Sequence, residues 1–176
     1  DISGANAHAN QPAIEALAAR GIIDGKGNGL FDPDANMTRA EFSAIVVRAL
    51  GLTAKSNNAF TDVTADKWYA AYVGTANTYG IVNGVGDGRF NPEGTITRQE
   101  AASILRNAFE LTETTDELFP DDSAIAGWAK ESVYLVKAAE LMKGDAGTGN
   151  FRPTDTIIRA EAASILMNAK YAGLIK

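Results

Sequence analysis

Apolar residues recur with helical spacing in three stretches of the chain. The sets are Phe42, Ile45, Val46, Ala49 and Leu50, then Ala101, Ile104, Leu105, Ala108 and Phe109, then Ala162, Ile165, Leu166 and Ala169. Steps of three, four and seven place each set on one face of an α-helix. Narrower stripes at Ile14 and Leu17, Val73 and Ala76, and Val133 and Val136 predict three shorter helices. The order is therefore short helix, glycine-rich turn, long helix, three times over, and the fold class expected is all-α. No repeat can bury its long-helix face alone. Three long helices of equal weight predict a central three-helix bundle with pseudo-threefold symmetry and the short helices outside it. We expect repeats at residues 1–55, 56–115 and 116–176 in one folding unit, with polar linkers at 53–59 and 112–117.

The repetition holds residue by residue. Gly29-Leu30-Phe31-Asp32-Pro33, Gly88-Arg89-Phe90-Asn91-Pro92 and Gly149-Asn150-Phe151-Arg152-Pro153 align. Helix starts follow at Thr38-Arg39-Ala40-Glu41, Thr97-Arg98-Gln99-Glu100 and Ile158-Arg159-Ala160-Glu161. Gly21 and Gly80 stand where a left-handed residue ends a helix. Glu140 takes that place in the third repeat, so its short helix is expected to end differently. Ile158 replaces the capping threonine, which costs about 1 kcal/mol unless Asp155 or Thr156 substitutes. The third turn carries one extra residue between Gly144 and Phe151.

The helix-start motif holds the candidate chemistry. Thr38 with Glu41, and Thr97 with Glu100, fit capping boxes, and Glu161 supplies the returning carboxylate in the third repeat. Capping does not explain Arg39, Arg98 and Arg159, because a cation in the first turn opposes the helix dipole. Free N–H groups at a helix start attract an anion, and an arginine fork suits a carboxylate or phosphate. The alternative is a surface arginine paired with Asp32, Asp34 or Glu93. The turn glycines, Gly25, Gly84 and Gly144 foremost, allow close backbone approach to a ligand, or serve only a tight turn. Trp68 and Trp128 begin the second and third short helices, where they stack on a sugar or fill the core. Ala9 holds that place in the first repeat.

Composition narrows the function. Apolar residues make up 45% of the 176-residue chain and charged residues 22%, which suits a folded core. The net charge is −6 with no basic stripe, which argues against nucleic acid as a partner. There is no cysteine, and no apolar run is long enough for membrane insertion. The chain opens at Asp1, as expected of a processed or trimmed product, so the missing leader does not argue against secretion. With one histidine and no nucleophile or phosphate-loop motif, no catalytic residue is assigned and an enzyme is not expected. The glycine turns resemble a calcium loop faintly, but Lys26 or Val85 at the third position breaks the ligand set. No metal or cofactor is expected.

Taken jointly, Phe60-Thr61-Asp62, Trp68, the Gly80 and Gly84 turn, the Gly88 to Pro92 motif and Thr97-Arg98-Gln99-Glu100 resemble the surface-layer homology repeat. The resemblance spans nearly the whole chain in three copies. It implies a pseudo-trimeric spindle with grooves between its prongs. It implies non-covalent anchoring of a secreted surface-layer protein to the wall of a Gram-positive bacterium, through a secondary cell-wall polymer. The feature such repeats commonly recognise is a pyruvate ketal on N-acetylmannosamine, whose carboxylate meets the motif arginine. Carried over, Arg39, Arg98 and Arg159 take that role, and Trp68, Trp128, Gly25, Gly84 and Gly144 line the grooves. A monomer is the expected state. The departures in repeats one and three predict unequal grooves, with Arg98 in the best-formed setting. The alternative is a protein-interaction or lattice-assembly scaffold without carbohydrate binding.

Overall fold

The computed structural model describes residues 1–2, 8–55 and 59–176, so the linker expected at 53–59 lies partly outside it. The described residues form α1 (Gln11–Ala18), α2 (Arg39–Ala49), α3 (Ala70–Thr78), α4 (Arg98–Ala108), α5 (Lys130–Ala138) and α6 (Arg159–Tyr171). Strand-like pairing among them is limited to isolated bridges. The protein is all-α, with three copies of a short helix followed by a long one. None of these helices is long and apolar enough to cross a membrane.

The apolar stripes do what their spacing predicts. Ile14, Leu17, Val73, Ala76, Val133 and Val136 are buried, as are Phe42, Val46, Ala101, Leu105, Ala162 and Leu166. Periodicity does not say which helix covers which, and here the packing is exchanged between repeats. Short helix α3 packs on α2, α5 on α4, and α1 on α6. Each prong thus joins the long helix of one repeat to the short helix of the next, and the first short helix closes the circle on the last long one. Thr75 secures one crossing. Its buried hydroxyl accepts from the Lys55 N–H at 2.6 Å and donates to the Lys55 carbonyl at 3.2 Å.

A ring of backbone hydrogen bonds ties the repeats at the centre. The Met37 N–H donates to Ile157 O at 2.9 Å, the Ile157 N–H to Ile96 O at 3.0 Å, and the Ile96 N–H to Met37 O at 3.0 Å. All three side chains are buried. Each repeat also fastens its own loop. The Asp62 carboxylate accepts from the Phe90 and Asn91 N–H groups, both at 2.8 Å. Asp121 does the same for Phe151 and Arg152, and Asp1 for Phe31 and Asp32.

Two local expectations need correction. Helix α5 does not end differently. Glu140 adopts φ 56°, close to Gly21 at 67° and Gly80 at 69°. Its N–H donates to Lys137 O, and that of Leu141 to Val136 O. Leu141 is fully buried, as its counterparts Ile22 and Ile81 nearly are, so core burial outweighs the left-handed strain. At the start of α6, neither Asp155 nor Thr156 replaces the missing cap. The Thr156 hydroxyl donates to Asn36, and Asp155 pairs with Arg152. Ile158 has no acceptor, so only the return bond from its N–H to Glu161 forms, at 3.1 Å.

Candidate ligand grooves between the repeats

The capping boxes form as the sequence predicts. Thr38 Oγ1 accepts from the Glu41 N–H, and Glu41 Oε2 accepts from the Thr38 N–H. Thr97 and Glu100 repeat this. The expected free N–H groups of the first turn are occupied, however. Those of Arg39 and Ala40 donate to Gly94 O and Pro92 O, those of Arg98 and Gln99 to Asp155 O and Pro153 O, and those of Arg159 and Ala160 to Ala35 O and Pro33 O. An anion bound beside Arg39 or Arg98 therefore meets side chains and turns, not the helix amides.

The three arginines are not surface residues paired with Asp32, Asp34 or Glu93. Their relative exposures are 6%, 6% and 8% for Arg39, Arg98 and Arg159. Each crosses to the next repeat. Arg39 Nε donates to Phe90 O at 2.9 Å, Arg98 Nε to Phe151 O at 2.7 Å, and Arg159 Nε to Phe31 O at 2.8 Å. Each guanidinium lies over the ring of that phenylalanine, 4.9, 5.1 and 4.4 Å from its centroid. The returning glutamates of the caps serve twice. Glu100 Oε1 accepts from Arg39 at 3.0 Å and Glu161 Oε1 from Arg98 at 3.2 Å. Burial pushes all three arginines below their ordinary value, opposed chiefly by Glu100 for Arg39, Glu161 for Arg98 and Glu41 for Arg159. Arginine titrates so high that they remain charged at neutral pH.

Two of these arginines line open clefts. One, of about 530 Å³, is bounded by Arg39, by Val82 to Val85, by the α4 face with Glu100 and Asn107, and by Trp128. The other, of about 390 Å³, is bounded by Arg159, the turn from Ile23 to Lys26, the α2 face with Glu41 and Arg48, and Trp68. Every repeat contributes to each cleft: the arginine from one, the turn and long helix from the next, the tryptophan from the third. The tryptophans do not fill the core. They stand 57% and 62% exposed at the cleft margins.

Gly25 and Gly84 line these clefts for a reason other than positive φ. A Cβ on Gly25 would lie 2.8 Å from Leu30 O, and one on Gly84 would lie 2.6 Å from Arg89 O. Gly144 is closed in the same way by Gly149 O. The glycines let the two arms of each turn meet, and positive φ falls instead on Gly27, Gly29, Gly86 and Gly88.

The Arg98 guanidinium is the most fully engaged of the three, although Arg159 Nη2 also donates to a turn carbonyl, Asp24 O, at 2.6 Å. Arg98 Nη2 donates to Lys143 O at 2.9 Å, so Nε, Nη1 and Nη2 are all engaged. The circular packing pairs this position with the first repeat, which has Ala9 where the other clefts have tryptophan. Its longer turn folds around Asp145, which accepts from the Gly147 and Thr148 N–H groups.

Three matches to the family model of the S-layer homology domain cover residues 1–43, 59–102 and 118–163. The chain belongs to the S-layer homology domain family. It is 36% identical to the surface-layer 125 kDa protein of Lysinibacillus sphaericus, over 87% of this chain and 13% of that protein. It is 34% identical to the middle cell wall protein of Brevibacillus brevis, over 94% of this chain and 15% of that protein. An exoglucanase of Acetivibrio thermocellus is 34% identical over 87% of this chain and 14% of its own length. The chain thus spans about one seventh of these relatives. Family and relatives together make it an anchoring module of the bacterial cell surface, at the wall or surface layer.

Proposed function

We propose that this chain holds a surface protein to the wall by binding an acidic glycan of a secondary cell-wall polymer in the Arg39 and Arg159 clefts. The pyruvate ketal of N-acetylmannosamine is the unit that fits this reading. Its carboxylate meets the guanidinium edge, the turn at Gly84 or Gly25 approaches the ring, and Trp128 or Trp68 covers a sugar face. The observation that carries the reading is an exposed tryptophan facing a buried arginine across a cleft built from all three repeats. An indole more than half exposed contributes little to the core, and a sugar face is what its apolar surface suits. Arg98, with its nitrogens engaged and no tryptophan opposite, contributes least.

Calorimetric titration with the methyl glycoside of pyruvylated N-acetylmannosamine tests this. Arg39→Ala and Arg159→Ala also break inter-repeat contacts, so the exposed tryptophans are the cleaner targets. Trp128→Ala should keep the wild-type melting temperature, and Trp68→Ala, which gives up ring contacts with Tyr69 and Tyr72, should stay close to it. Each should weaken its own cleft by roughly 1 kcal/mol, about fivefold. Unchanged affinity in a double tryptophan variant would contradict the assignment.

A further inference from the structure

The two open clefts are not electrostatic copies of each other. In the Arg39 cleft both lining arginines are neutralised by ion pairs, Arg39 with Glu100 at 3.0 Å and Arg106 with Glu131 at 3.0 Å. The turn position after Gly84 is the uncharged Val85. In the other cleft, Arg159 has no carboxylate within 4.0 Å among the described residues, unlike Arg39 and Arg98. The residue after Gly25 is Lys26, exposed and likewise without an ion pair among those residues. A third cation, Arg48, is held by Asp24 at 2.6 Å and lies 4.8 Å from the centre of the Tyr72 ring. Glu41, whose Oε2 is engaged with the Thr38 N–H, makes no ion pair with Arg159 within 4.0 Å but is the carboxylate that most offsets its burial.

Resting on the glycan reading above, we propose that the Arg159 cleft selects a saccharide carrying a second anionic group, while the Arg39 cleft takes a singly charged one. Arg159 receives the carboxylate, as its counterpart does. Lys26, at the mouth of the cleft, meets a second charge such as a phosphate on the same or the adjoining residue. A lysine ammonium suits that task as a mobile point charge, whereas Val85 offers only apolar contact. The position after the turn glycine thus grades the three sites: Lys26, Val85 and, beside Arg98, Asp145.

The chain's two tryptophans stand one in each open cleft, so their indole N–H signals report the clefts separately. Trp68→Phe and Trp128→Phe assign the signals. The probes are the methyl glycoside of pyruvylated N-acetylmannosamine and the same glycoside bearing a phosphate monoester. We expect the Trp68 signal to half-saturate at roughly five- to tenfold lower concentration of the phosphorylated probe, and the Trp128 signal to show no such preference. Lys26→Val should abolish the preference at Trp68, and Val85→Lys should confer it on Trp128. Both substitutions lie on exposed turn positions without positive φ, so folding is preserved. Equal preference at the two indoles, or a preference that survives Lys26→Val, overturns this inference and leaves the glycan reading intact. No response of either indole to either probe overturns both.

Discussion

Glu140 carries a left-handed backbone that two glycines adopt without strain at the equivalent positions. The side chain is exposed and its pair with Lys143 is a loose surface contact of 3.7 Å. Relief of the left-handed strain should exceed the entropy a glycine adds to the unfolded chain. Glu140→Gly is therefore expected to stabilise the protein by about 0.5–1 kcal/mol in chemical denaturation. Asp62 sets an acid limit. Burial raises its pKa, but the N–H groups of Phe90 and Asn91 outweigh that and hold it below the ordinary aspartate range. The folded chain therefore binds this proton less readily than the unfolded one. Its contribution is complete above the unfolded value near 4 and disappears as pH falls through the lower folded value. Denaturation curves between about pH 5 and 2 should show this loss, and Asp62→Asn should flatten that part of the profile. At this scale the sequence was half legible. An arginine opposing the helix dipole in every repeat marked a task, but its seat over Phe31, Phe90 or Phe151 depends on a neighbour about fifty or more residues away and leaves no local trace.

Helix ends show how closely local chemistry predicts local structure. Both threonine capping boxes are present, and the third is missing the half that Ile158 cannot supply. Ile158→Thr should restore the acceptor for the Glu161 N–H. Some partly buried apolar contact is lost in the exchange, so the expected net gain is roughly 0.5–1 kcal/mol. A melting temperature below wild type would mean that the Ile158 packing outweighs the cap. The exchange of short helices was not legible, because an apolar stripe requires a partner without naming one. Ala9 was visible as a missing tryptophan, but only the packing of α1 on α6 assigns the loss to Arg98.

Over the whole molecule, pseudo-threefold symmetry was legible from the repeats, and closure is what the structure adds. The ring of Met37, Ile96 and Ile157, the circular arginine contacts and the seating of α1 on α6 all need the third repeat. Removal of residues 116–176 strips α5 from α4 and α6 from α1, and leaves Arg98 without Phe151. The 1–115 fragment should therefore show no cooperative melt, whereas the full chain should unfold in a single transition by every probe. Closure also makes the clefts, since each draws on three repeats. The decisive measurement is cosedimentation with purified walls, using wild type and a Trp68→Ala, Trp128→Ala double variant that melts like wild type. If the clefts hold the glycan, wild type sediments with intact walls and not with walls stripped of their secondary polymer, and the variant stays in solution with both. Sedimentation of the double variant at the wild-type level, or undiminished capture by stripped walls, would contradict this reading.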